Sequence, residues 1–152
     1  MKKEIYLIVD NIRSLYNVGS MFRTSDAFKI NRIYLCGYTG TPPRKEISKT
    51  ALGAENEIPW ESHPDTLELV KELKRKKVKI ATLELSKKAK DLNKIKPQFP
   101  LALVVGNEIQ GVDSKVIKQA DYEIKIPMQG IKESLNVAVA TGIALYQLSI
   151  LN

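Results

Sequence analysis

Residues 4–36 run EIYLIVDNIRSLYNVGSMFRTSDAFKINRIYLC, and their reading decides the fold. Glu4 to Val9 and Arg32 to Cys36 read as short strands rich in β-branched and aromatic side chains, with Asn17 to Phe28 between them as a helix. A strand, a helix and a second strand in that order form a βαβ unit, whose two strands lie parallel. The rest of the chain continues the alternation. Val78 to Leu85, Leu101 to Val105 and Tyr122 to Ile126 read as strands. Asp65, with Glu68 three residues on, opens a helix that carries Leu69, Val70 and Leu73 and ends in cations. A short helix is expected near Ser114 to Ala120, and a long uncharged one over Ser134 to Leu151. Gly37 to Ala54 is polar, carries TGTPP at 39–43 and reads as a lid. In the Lys-rich stretch from Ser86 to Pro100, Pro97 and Pro100 oppose a helix. The expected class is α/β, a parallel sheet covered by helices on both faces, in a single domain.

Length and composition agree. At 152 residues with 43% apolar and 27% charged residues, the chain suits one globular domain and excludes disorder, collagen and coiled coil. A single cysteine, Cys36, excludes an intramolecular disulfide framework, and a single histidine, His63, excludes a His-rich zinc site, so no metal is expected. A reducing, cytoplasmic setting follows. Lys2 and Lys3 precede only the short apolar run Ile5 to Val9, too brief for a signal peptide. Ser134 to Leu151 just reaches membrane-spanning length, but Asn136, Thr141, Gly142, Gln147 and Ser149 interrupt it, and it reads as a buried helix rather than a span.

The net charge is +7, unevenly placed. Residues 71 to 96 hold eleven Lys or Arg against three Asp or Glu, a surplus of +8, and the remainder sums to −1. Lys74 to Lys77 close a helix whose C-terminal dipole favours cations, but Lys87, Lys88, Lys90, Lys94 and Lys96 have no such local reason. A positive field of this kind suits a polyanionic partner.

Several chemistries are absent. No G-x-G-x-x-G follows the first strand and no G-x-x-x-x-G-K-[ST] occurs, which removes the dinucleotide fingerprint and the P-loop. His63 sits in a turn-like Ser-His-Pro-Asp context, where an exposed or capping role is expected, and no G-x-S-x-G elbow supports a hydrolase. Three segments remain. Asn11 to Thr24 follows the first strand, where Asn17 and Gly19 favour a helix start and Arg23 lies one turn on. The segment is either a phosphate clamp or a capped helix with Arg23 paired to Asp26. Leu103 to Gly111 is a strand emptying into Gly106-Asn107-Glu108, which permits close ligand approach and adds a carboxylate. Ile126 to Ala140 presents Ser134 and Asn136 at a helix start, with small Ala138 and Ala140 behind them.

In this order the three segments resemble the SpoU, or TrmH, branch of the SPOUT RNA methyltransferases, over Val9 to Thr24, Leu101 to Gly111 and Tyr122 to Leu148. The resemblance implies transfer of a methyl group from S-adenosylmethionine to a ribose 2′-hydroxyl of RNA, on a sheet whose C-terminal part is tied in a trefoil knot. Such threading runs against the general rule for chain topology and rests wholly on the resemblance. It also implies Asn17, Arg23, Glu108, Ser134 and Asn136 as the active-site set, and Leu83, Gly106, Ile126, Met128 and Leu135 as the cofactor-contacting positions.

A guanidinium is never a base in proteins, so Arg23 is expected to orient ribose and phosphate, and the proton acceptor stays open. Glu108 would hold Arg23 or the motif loops through hydrogen bonds. Ser134 to Leu151 has apolar residues on every face, which points to burial on two sides and, with the resemblance, to a homodimer through this helix. The substrate expected is tRNA before rRNA, since the first strand begins at Glu4 and leaves no accessory RNA-binding domain. Arg13, Arg44, Lys45, Lys87, Lys88 and Lys90 are the expected RNA-holding cations. The competing reading is a basic RNA-binding or assembly protein of the same fold without chemistry.

Overall fold

A computed structural model of the chain describes residues 3–151. Seven strands alternate with five helices: β1 Ile5–Asp10, α1 Leu15–Ala27, β2 Arg32–Cys36, α2 Lys45–Ala51, β3 Trp60–His63, α3 Thr66–Arg75, β4 Lys79–Leu83, β5 Lys90–Asp91, β6 Leu101–Val105, α4 Ser114–Ile117, β7 Tyr122–Lys125 and α5 Val137–Ile150. The strands form one sheet in the order β3-β2-β1-β6-β4-β7-β5, and every pairing is parallel.

The centre of the sheet is buried on both faces, as a parallel sheet requires. Along β1 and β6, Leu7, Val9, Leu101, Leu103 and Val105 turn to one core and Ile8, Ala102 and Val104 to the other. The first core is closed by α1, α2 and α5 through Val18, Met21, Phe22, Ile47, Ala144, Leu145 and Leu148. The second is closed by α3 and α4 through Leu69, Val70, Leu73 and Val116. Helices therefore cover both faces, as the alternation of elements predicts.

Besides the unassigned edge strand β3 and the start of α5 at Val137 rather than Ser134, where the Asn136 side chain caps it, three details differ from the sequence reading. Helix α1 begins two residues before Asn17, because the Ser14 hydroxyl accepts the Asn17 backbone N–H at 3.1 Å and caps the helix there. Gly19 is therefore inside the helix. There it lets α2 pack so closely that a Cβ would collide with the Ile47 carbonyl and the Thr50 hydroxyl. The expected lid over Gly37 to Ala54 is partly regular, since α2 and a 3-10 turn at Ala54–Asn56 pack on α1. The third is His63, which ends an edge strand rather than a turn, with Nε2 3.0 Å from Glu61 and its ring edge-on to Tyr34. Among the described residues no helix is long and apolar enough to cross a membrane.

Candidate active site

The carboxyl ends of β4, β6 and β7 open into a cavity of about 370 Å³, closed on one side by the start of α5. In open parallel sheets this edge is where ligands bind, because strand ends, loops and helix starts converge there. All five positions expected to contact cofactor line this one cavity: Leu83, Gly106, Ile126, Met128 and Leu135. So do Glu108, Ser134 and Asn136. Residues far apart in sequence thus meet because β4, β6 and β7 end at the same edge.

The loop after β6 is held by its own side chains. Asn107 Oδ1 accepts the backbone N–H groups of Ile109 and Gln110, both at 2.9 Å, which folds the loop back on itself. Asn107 Nδ2 donates to the Asn11 carbonyl at 2.9 Å and to the Tyr38 hydroxyl at 2.6 Å, tying the cavity to the ends of β1 and β2. Gly106 lies so close to Gly111 and Val112 that a Cβ there would overlap their backbone. Gly111 has φ +73°, a conformation glycine adopts without penalty.

Glu108 does not pair with Arg23. Its two carboxylate oxygens face the backbone N–H of Arg13 at 3.1 and 3.3 Å, so it fastens the second motif to the loop that opens α1. Arg23 is exposed on α1, lines no part of the cavity, and makes no salt bridge to Glu108 or Asp26. Asn17, Ser20 and Thr24 of the same helix line a groove against α5 that does not include Arg23. Asn136 is the N-cap of α5, its Oδ1 accepting the Ala138 and Val139 N–H groups at 2.8 and 3.1 Å. Its Nδ2 approaches Asn17 Oδ1 at 3.4 Å, joining the first and third motifs.

Two buried titratable groups end β1 and β2. Asp10, at the end of β1, is 4% exposed. Burial pushes its carboxyl up from the ordinary value, against the opposing effect of a hydrogen bond from Thr66 Oγ1 at 2.6 Å. Burial likewise pushes the Cys36 thiol up to about 12.

Residues 4–146 match the model of the SpoU rRNA Methylase family. The chain belongs to that family. It is 33% identical over 147 residues to a tRNA (guanosine(18)-2'-O)-methyltransferase of Aquifex aeolicus, covering 96% of this chain and 69% of that one. A tRNA (guanosine(18)-2'-O)-methyltransferase of Thermus thermophilus is 28% identical over 144 residues, covering 95% and 73%. Among solved structures, an AdoMet-bound rRNA methyltransferase from Sinorhizobium meliloti superimposes with a TM-score of 0.91 at 29% identity, covering 97% of this chain and 56% of that one.

The sequence reading missed two residues of the cavity wall. Glu84 and Asn107 both line the cavity, yet neither was singled out. Asn107 stood within a quoted motif, and the Asx turn it makes is a recognisable signal at a strand end. Glu84 follows β4 directly, and only the packing of Gly111 against it reveals its part.

Proposed function

We propose that the chain is an S-adenosylmethionine-dependent methyltransferase acting on ribose 2′-hydroxyls of RNA, with tRNA rather than rRNA as its substrate class. The observation that carries this reading is the convergence of the cofactor positions with Glu108, Ser134 and Asn136 on one cavity. The family match and the tRNA-modifying relatives support it.

The cavity fits the cofactor in kind. Leu83, Ile126, Met128 and Leu135 offer an apolar slot for an adenine, and the Gly106 backbone lines the cavity beside it. When bound, S-adenosylmethionine supplies an electrophilic methyl group on a sulfonium. The remaining task is to hold the ribose oxygen in line and assist loss of its proton. Ser134 and Asn136 stand where they would orient that hydroxyl, and the Asn17 amide steadies Asn136. Arg23, unpaired with any carboxylate among the described residues, acts as a cation toward RNA phosphate and not as a base.

Lys87, Lys88 and Lys90 hold the RNA. They are exposed, lack carboxylate partners among the described residues, and follow the cavity wall at Glu84 and Leu85. Arg13, Arg44 and Lys45 are also exposed, with Arg44 3.5 Å from Glu46. Lys94 pairs with Asp91 at 3.5 Å, which lessens its claim. Binding through such lysines weakens steeply with salt.

A second copy of the chain covers α5. Val139, Ile143, Tyr146 and Ile150 recur at helical spacing and are 41–53% exposed, an apolar stripe that one chain leaves half open even with Tyr146 packed against the Phe28 ring at 5.5 Å. Sedimentation as a stable monomer at micromolar concentration would overturn the dimer. The trefoil knot is supported by the strand order. β7 lies between β4 and β5, so the segment joining them bridges across it, and α5 packs on the 3-10 turn Leu92–Lys94 of that segment.

Mapping 2′-O-methylation in RNA from cells with and without the gene tests the whole reading. Loss of a single tRNA ribose methylation is expected, and an unchanged map would refute it. Calorimetry with S-adenosylmethionine separates an enzyme from an RNA-binding protein of the same fold, which would bind none at millimolar concentration.

A further inference from the structure

We infer that Glu84 is the carboxylate that receives the ribose diol of the nucleoside cofactor, and that it reads the diol from a position fixed by Val112. This rests on the cofactor reading above and extends it to a residue outside the family motifs.

Two carboxylates line the cavity, Glu84 and Glu108. The Glu108 oxygens are directed at the Arg13 N–H, so that group is committed to holding the loops together. Glu84 is differently placed. Its Oε2 accepts the Val112 N–H at 2.7 Å, which uses one of about four acceptor positions on a carboxylate. The Gly111 Cα stands directly against the same group, since a Cβ there would lie 2.6 Å from Oε2 and 2.7 Å from Oε1. The side chain is therefore wedged between the end of β4 and the loop after β6, and it loses little freedom on taking a ligand. The Glu84 backbone is fixed as well, its N–H donating to the Ile124 carbonyl at 3.0 Å.

A cofactor of this class carries three sets of donors, the adenine amino group, the ribose diol and the amino-acid ammonium. The methyl-bearing sulfonium must lie near Asn136 and Ser134, where the acceptor ribose is held, and the amino-acid arm starts from the sulfonium. The adenine belongs in the apolar slot between Leu83, Ile126 and Leu135. The ribose joins the two, and the diol is the donor set left for the wall that Glu84 forms. A carboxylate accepting two hydroxyls makes charge-assisted hydrogen bonds, roughly twice as strong as neutral ones.

Calorimetry on the intact chain, wild type and Glu84→Gln, tests this with three ligands: S-adenosylhomocysteine, 5′-methylthioadenosine, which keeps the diol and lacks the amino-acid arm, and 2′,3′-dideoxy-5′-methylthioadenosine. The substitution should weaken the first two by the same factor, on the order of 10-fold, and leave the third unchanged. Weakening confined to S-adenosylhomocysteine would assign Glu84 to the ammonium and overturn the inference. Equal weakening of all three would show a purely structural role and also overturn it, as would no change in any. A wild-type chain that binds none of the three would refute the cofactor reading itself, a result distinct from wild-type binding with the wrong pattern in the variant.

Discussion

Asn136 does two things that one pair of substitutions separates. Its Oδ1 caps α5 through the Ala138 and Val139 N–H groups, and its Nδ2 faces Asn17 across the site. Replacing an Asn cap by Ala costs about 1 kcal/mol, whereas Ser caps nearly as well as Asn. For a chain of this length 1 kcal/mol lowers Tm by roughly 2–4 °C. The Asn17 contact at 3.4 Å is long for a hydrogen bond and adds little to stability. Asn136→Ala should therefore melt a few degrees below wild type and Asn136→Ser close to it. Both lose the amide to which the proposed function assigns the acceptor hydroxyl, so both should lose methyl transfer, by about 100-fold if the hydroxyl shifts by an ångström. Thermal melts paired with transfer of labelled methyl to RNA read the two effects separately. Full transfer by Asn136→Ser would refute the assigned role of the amide. A Ser variant as unstable as the Ala variant would refute the cap.

Three other outcomes follow from the structure. Gly106→Ala forces a Cβ into the Gly111–Val112 backbone, so it should destabilise the chain by about 1–3 kcal/mol and abolish S-adenosylhomocysteine binding in calorimetry. The folded-state pKa of Asp10 is raised, so ionising this carboxyl opposes folding, and that cost is felt as pH rises through the folded value. Asp10→Asn should raise Tm at neutral pH, and melts should show the gain fading as pH falls below the ordinary carboxyl range. Cys36, fully buried with its thiol pushed up to about 12, should resist a thiol-reactive disulfide reagent at pH 8 in the native chain and react once in guanidinium, as titration of the released chromophore would show.

The parallel sheet was legible because β-rich runs alternate with helical patterns, and Arg32–Cys36 and Leu101–Val105 fall where their composition places them. The edge strand β3 was not, because Trp60 to His63 is only half-buried and lacks a run of core residues. Helix α2 hid in a polar, Pro-containing stretch, since only Ile47 and Ala51 turn inward and the contact that stabilises it is a close approach to Gly19.

Sequence by itself determined the class of fold, the basic segment near residues 87–90 and the set of polar residues around the site, because strand propensity, charge and short motifs are local properties. Tertiary structure decided what those residues do to one another. Of the two roles open to Glu108 it selected the fastening of the motif loops, through the Arg13 backbone; it left Arg23 outside the cavity and brought Glu84 against Gly111. Such contacts depend on strand order, and β4, β6 and β7 become neighbours only once the chain has crossed the sheet, so no local pattern in the sequence records them.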